Sequence, residues 1–398
     1  MSAPGADGVY IVAVEASGDA LGADLVESLR AKQPGLSIGG VGLEGLKRVG
    51  VSRPIDLSGL SILGFVDGIK ALSRVKVAVE AVSADIIATN PKVAVLIDSW
   101  GFTVRVAAQV RARAPHIRLV KYVGPQVWAT RPGRAKTLAA LVDHLICIHD
   151  FEPAYYAPYG LDCTVCGHPA IGRHVAGDAA AFRLRHGLNP AEPILVIAPG
   201  SRPSEMRRVA PTLWRSAQNL IEIRPTLRLV CVPAQTVREE VSSQIREAGL
   251  SVLTVDEAEK GDAFAAATAV LAASGTVTTE IALQRVPVVI AYKLGWVTWA
   301  LARTLLFKSP YAALINVAAN AEVAPEFIQT KMTVPNLVAA TGLLLDDEAA
   351  RAAQIAAQDE ALKRMGQGGP LAQEIAADVV LDQMTSASSK RSKPGPMA

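Results

Sequence analysis

The sequence predicts an α/β protein of two doubly wound, Rossmann-like domains facing each other across a cleft, with helices at the C-terminal end. Three observations predict it. The chain has 398 residues, more than one compact domain usually holds. Short apolar runs rich in Val, Ile and Leu alternate with longer stretches of helical period, the rhythm of βα repeats around a parallel sheet buried on both faces. That rhythm pauses once, around Gly167 to Gly187, and then restarts. The pause places a boundary near residue 170, giving a first domain over 1–170 and a second over 171–384 that includes the terminal helices. The remaining Ser/Lys/Pro/Gly tail, 385–398, lacks the apolar residues to fold.

Taken in order, the apolar strand Val9 to Val14 precedes the helical stretch Ala20 to Arg30. Val93 to Ile97 leads into Val104 to Arg113, and Arg118 to Val123 into Arg134 to Val142. After the pause come the strands Ile194 to Ala198, Arg228 to Val232, Val252 to Val255, Ala269 to Ala272 and Val288 to Ala291. Pro335 to Gln383 reads as Ala- and Leu-rich helix. Open parallel sheets bind ligands beyond the carboxyl ends of their strands, so the residues just after each strand are the candidates for chemistry.

Composition narrows the function classes. At 50% hydrophobic and 19% charged the chain is strongly globular, and a net charge of +3 with scattered Lys and Arg does not supply the field of a nucleic-acid binder. Cys147, Cys163, Cys166 and Cys231 lie mostly in strand-like runs, where a thiol acts as a small hydrophobe. Cys163 and Cys166 form a C-x-x-C, but strand alternation points them to opposite faces and no second ligand pair accompanies them, so neither a metal site nor a disulfide is expected. The start of the chain lacks the basic flank and long apolar core of a secretory signal, which predicts a cytoplasmic protein. Leu294 to Ile315 comes nearest to a membrane span but is interrupted by Arg303 and Lys308.

The turn Ser274-Gly275-Thr276, ahead of Glu280, is the most informative stretch. A small-residue turn between a strand and a helix lets backbone N–H groups approach a diphosphate, and a carboxylate one helical turn later can accept bonds from a ribose. Pro199-Gly200-Ser201-Arg202 repeats that geometry at the opening of the second domain, with Arg202 able to neutralise a leaving diphosphate. In the first domain, Asp98 directly follows a buried strand and suits a general base. Glu15, Ser17 and Asp19 add two carboxylates and a hydroxyl at another strand end, where Ser17 or Asp19 could equally cap a helix. Tyr122, Trp128 and Arg131 fall in an aromatic and cationic turn that could bound a sugar or acyl pocket and hold a phosphate, or in which Trp128 is a structural plug.

In this order, with Phe151-Glu152, Gly167-His168-Pro169, Glu205, Asn316 and Val323-x-Pro325-Glu326, these landmarks make the chain similar to the lipid-A-disaccharide synthase family of GT-B glycosyltransferases, over roughly residues 9 to 382. Departures fall at Val14, where a Gly is usual, at Thr130, where a second aromatic is usual, and at His149-Asp150, which replaces Leu-Pro. They bear on acceptor contacts more than on donor contacts. The resemblance implies inverting transfer of 2,3-diacylglucosamine from its UDP derivative to the 6-hydroxyl of 2,3-diacylglucosamine 1-phosphate (lipid X), with release of UDP. Asp98 would be the base, with Glu15 second. Gly200, Ser201, Arg202, Ser274, Gly275 and Thr276 would hold the diphosphate, Glu280 the ribose, and Asn316 a phosphate or hydroxyl. The scheme needs no cofactor and no metal. Because both substrates are acylated, it implies peripheral association with the cytoplasmic face of the inner membrane, where Trp296, Trp299 and Phe307 would suit an interfacial helix; core packing or a subunit contact in a homodimer fits the same pattern. Another GT-B enzyme acting on a UDP-sugar, a 2-epimerase or a transferase with a soluble acceptor, and a silent nucleotide-sugar binding protein are the alternatives.

Overall fold

In a computed structural model, which describes residues 8–55, 57, 68–273, 275, 277–295 and 310–386, the chain forms two units: residues 1–169 with 368–398, and residues 170–367. Each described unit is organised by one parallel six-stranded sheet.

The first sheet contains β1 (Val9–Val12), β2 (Ile38–Val41), β3 (Val93–Ile97), β4 (Arg118–Tyr122), β5 (His144–Cys147) and β6 (Asp162–Val165), in the order β2-β1-β3-β4-β5-β6. Alternate residues of β1 enter separate cores. Tyr10 and Val12 pack with Val82, Ile86 and Val106 on one face; Val9 and Ile11 pack with Leu25, Leu29 and Val380 on the other. Burial on both faces is why these strands read as unbroken apolar runs. The chain winds from β1 outward to β2 and then crosses to β3 on the opposite side of β1, so the switch in winding direction lies between β1 and β3.

The second sheet contains β7 (Ile194–Ala198), β8 (Arg228–Cys231), β9 (Val252–Thr254), β10 (Ala269–Ala273), β11 (Val288–Tyr292) and β12 (Glu326–Ile328), in the order β12-β11-β10-β7-β8-β9. Ile194 and Val196 face one core while Leu195 and Ile197 face another. Its switch point lies between β7 and β10.

The terminal helices depart from the expected domain assignment. Helices Val334–Asp346 and Glu348–Arg364 belong to the second unit, but helix Ala372–Thr385 belongs to the first. Its Ala376, Ala377, Val379 and Val380 are buried beside Val9, Ile11 and Leu25, and Lys32 bridges Asp378 at 2.6 Å. Its Ala- and Leu-rich composition was legible as helix, but which of two similar apolar surfaces it covers was not. β2 also escaped the sequence reading, because Ile-Gly-Gly-Val lacks strand propensity. Gly40 is required there, since a Cβ would collide with the Ile11 carbonyl of the neighbouring strand.

Among the described residues no helix is long and apolar enough to cross a membrane. Trp296, Trp299, Arg303, Phe307 and Lys308 of the expected interfacial segment lie outside the described residues.

Candidate active site

Within the first unit, Glu15 and Asp98 follow β1 and β3, the two strands that flank the switch point. The structure brings them together with Ser17. The Ser99 hydroxyl donates to Glu15 Oε1 at 2.6 Å, and the Ser17 hydroxyl approaches Asp98 Oδ2 at 3.4 Å. Asp98 and Ser99 both adopt left-handed backbone, with φ of 45° and 43°. For non-glycine residues that conformation costs about 1–3 kcal/mol each, and it persists where surrounding bonds over-determine it. Here the Thr103 hydroxyl lies 2.8 Å from the Asp98 carbonyl oxygen and 3.1 Å from that of Ser99. Ser99 is the N-cap of helix Trp100–Arg113, yet its side chain makes no capping bond and serves Glu15 instead. That role was not foreseen, because a Ser before a helix ordinarily reads as a cap.

Lys121, on β4, was also missed. It is 2% exposed, donates to the Asp98 carbonyl, and lies 3.0 Å from Thr103 Oγ1. Burial brings its pKa down to about 7, against the opposing pull of Asp98 and Glu15. A lysine inside an apolar strand gives no sequence signal of the carbonyl it meets.

Three residues named for an acceptor pocket are buried. Asp19 is buried, and its carboxylate accepts from the backbone N–H groups of Leu43 at 2.7 Å, Gly45 at 2.5 Å and Leu46 at 3.2 Å, closing the turn into helix Glu44–Arg48. Tyr122 is 1% exposed and packs in the core with Ile97 and Cys166. Trp128 is buried as a plug, edge-on to Phe151 at 5.5 Å and to His149 at 6.3 Å. Arg131 is exposed, and nearby Arg134 lies 5.4 Å from the centre of the Trp100 ring. Cys163 sits on β6 and Cys166 just beyond it in a different core cluster, where its thiol donates to the Cys147 carbonyl at 3.2 Å.

In the second unit a cavity of about 330 Å³ opens at the carboxyl ends of β7 and β10, the strands flanking that sheet's switch point. Gly200, Ser201, Arg202, Gly275 and Glu280 line it, as the sequence suggested; Ser274 and Thr276 lie outside the described residues. Lys260 and Glu205 line it too. Lys260, which the sequence did not single out, bridges Glu280 at 2.6 Å.

Glu205 shapes the first turn. Its Oε2 accepts from the backbone N–H of Ser201 at 2.8 Å and of Arg202 at 3.1 Å, and its Oε1 pairs with Arg202 Nη1 at 3.3 Å. The Ser201 N–H expected to meet a diphosphate is thus engaged by a carboxylate of the protein. Gly200 has φ +109°, and a Cβ there would collide with the Glu205 carboxylate. The Arg202 side chain is 71% exposed over the cavity.

Asn316, expected at the ligand, is a loop brace. It is fully buried, its Oδ1 accepts from Val323 and Ala324 at 2.8 Å each, and its Nδ2 donates to the Ala324 carbonyl at 2.8 Å. Beside it Glu326 accepts from Ala313 at 2.6 Å and Ala312 at 3.0 Å.

Two parallel six-stranded α/β units, each with its candidate residues at the switch point of the sheet, give the chain the fold of the GT-B class. A solved structure with this fold is the UDP-N-acetylglucosamine 2-epimerase from Neisseria meningitidis bound to UDP-GlcNAc, with TM-score 0.58 and 10% identity over 95% of this chain and 99% of that one; at that identity the likeness shows the fold alone. The sequence model of the lipid-A-disaccharide synthetase family matches residues 9–380, and the chain belongs to that family. It is 38% identical to the lipid-A-disaccharide synthase of Paramagnetospirillum magneticum, over 94% of this chain and 97% of the relative. To that of Rhodospirillum centenum it is 35% identical, over 95% and 94%.

Proposed function

We propose that this enzyme transfers 2,3-diacylglucosamine from its UDP derivative to the 6-hydroxyl of 2,3-diacylglucosamine 1-phosphate, forming a β-1,6-linked disaccharide and releasing UDP. The observation that supports the reading is the cavity at the β7/β10 switch point, lined by a glycine turn, cations and carboxylates, the residue types that receive a nucleoside diphosphate at such a place. Relatives named lipid-A-disaccharide synthase support the choice of sugar and acceptor.

In this reaction the acceptor oxygen attacks the anomeric carbon opposite UDP, and the configuration inverts. Asp98 takes the hydroxyl proton, and Glu15, held by Ser99, is the second carboxylate at that site. Arg202 swings from Glu205 onto the diphosphate and neutralises the departing charge, while the second turn, at Gly275, presents backbone N–H groups. Glu280, steadied by Lys260, accepts from the ribose hydroxyls. Because both sugars carry acyl chains, the enzyme works at the surface of the cytoplasmic membrane.

Mass spectrometry of an incubation with UDP-2,3-diacylglucosamine and lipid X tests the proposal. A phosphorylated tetra-acyl disaccharide and UDP, in equal amounts, are expected. Epimerisation of UDP-N-acetylglucosamine without disaccharide, or UDP binding without turnover of either substrate, would overturn it.

A further inference from the structure

We infer that Lys121 is a positioning residue for the transfer reaction: its buried amine clamps the Asp98 carbonyl and so holds the left-handed Asp98–Ser99 turn that sets two carboxylates side by side. The inference rests on the assignment of Asp98 as base and adds to it the element that keeps the base in place.

Four observations converge. The amine lies beneath the turn, with the Asp98 carbonyl and Thr103 Oγ1 as its hydrogen-bond acceptors, and among the described residues no carboxylate bonds it. Thr103 in turn bonds the carbonyls of Asp98 and Ser99, so one amine and one hydroxyl hold both left-handed residues. Above the turn, the side chains those residues present reach Ser17 and Glu15. A lysine is among the least favourable groups to enclose in a sheet interior, and a Met or Leu would fill the same volume without desolvating a charge.

The groups facing the amine from the packed elements are few. Asp98 and Glu15 act on it from the ends of β3 and β1, helix Trp100–Arg113 offers the Thr103 hydroxyl, and the neighbouring strands carry Leu96 and Leu145 in register. The charge is therefore directed at the carboxylate pair. Loss of the amine should free the Asp98 carbonyl, let the turn relax toward ordinary backbone and swing the carboxylates apart. UDP binding, which belongs to the other unit, should be untouched.

The test compares Lys121→Met, Lys121→Gln and Thr103→Val in the full chain, with kcat and KM from steady-state kinetics and UDP affinity by calorimetry. For Lys121→Met, kcat should fall about 10- to 100-fold, the scale of a catalytic group misplaced by about 1 Å. KM and UDP affinity should change little. Lys121→Gln restores a donor, so it should regain part of kcat. Thr103→Val should lower kcat in the same direction by a smaller factor, and it carries the test if Lys121→Met does not fold. Near wild-type kcat in Lys121→Met, or in Thr103→Val when that variant stands in, would overturn the inference. An Asp98→Asn enzyme that still turns over would instead overturn the assignment of the base, whereas an inactive Asp98→Asn beside a fully active Lys121→Met would sink the clamp alone.

Discussion

At the scale of single residues, strain and burial separate chemistry from scaffolding. Asp98 keeps a positive φ although it is not glycine, whereas Asp19, only a few residues from Glu15, spends its carboxylate on three backbone N–H groups. Replacing Asp98 by Asn should lower kcat by about 10² to 10⁴ while leaving UDP affinity nearly unchanged, as loss of a general base does; retained turnover would remove it from the mechanism. Arg202→Ala should weaken UDP binding and slow transfer together, because the cation acts on bound and departing diphosphate alike. Calorimetry with UDP and steady-state kinetics check both parts. His149 makes a stability prediction. Burial, with a smaller contribution from His168, lowers its pKa from 6.5 to about 4. The unfolded chain therefore binds a proton at this site in a pH range where the folded chain does not, so stability falls as pH drops from 6.5 toward 4 and levels off below. His149→Phe should abolish that part of the acid slope, seen as a Tm difference from wild type that changes across this window; parallel Tm curves would contradict it. The sequence showed which residues follow the strands, and the structure has Asp98, Glu15 and Gly200 there and Glu280 in the helix after β10. It could not separate Asp19 and Asn316 from ligand-binding residues, because a carboxylate or amide that braces a loop looks identical in sequence to one that meets a ligand.

Among the elements, the strands were the most legible, since burial on both faces writes each as a continuous apolar run. β2 and β12 were not, one because it is half glycine and the other because it is three residues long. The strand-to-helix turns were found by composition, but their wiring was hidden: Glu205 lies four residues beyond Ser201 and returns to bond it. The turn after β7 is thus held in shape from within its own helix, and it depends on the absence of a side chain at 200. Gly200→Ala should push Glu205 off the Ser201 and Arg202 N–H groups and impose left-handed backbone on a residue with a Cβ, at a cost of about 1–2 kcal/mol. UDP affinity should fall with little loss of unfolding cooperativity, a combination that titration calorimetry and denaturant melts would detect. Unaltered UDP binding would mean that the glycine serves only packing.

For the whole molecule, the division into units could not be read from composition, since both units share one pattern and the last helix suits either. Deleting residues 371–398 should expose the face formed by Val9, Ile11, Leu25 and Leu29 and destabilise the first unit, while the second retains its protected amides and its UDP site. Hydrogen exchange with and without UDP would show this, and uniform loss of protection across both units would refute it. The same connectivity sets an order of events during synthesis. Residues 1–169 leave the ribosome first but lack the helix that covers one face of their sheet, whereas 170–367 form a continuous segment complete in itself. The second-made unit should therefore reach its native state first, and the first-made unit should wait with an apolar face open to chaperones until helix Ala372–Thr385 has been synthesised.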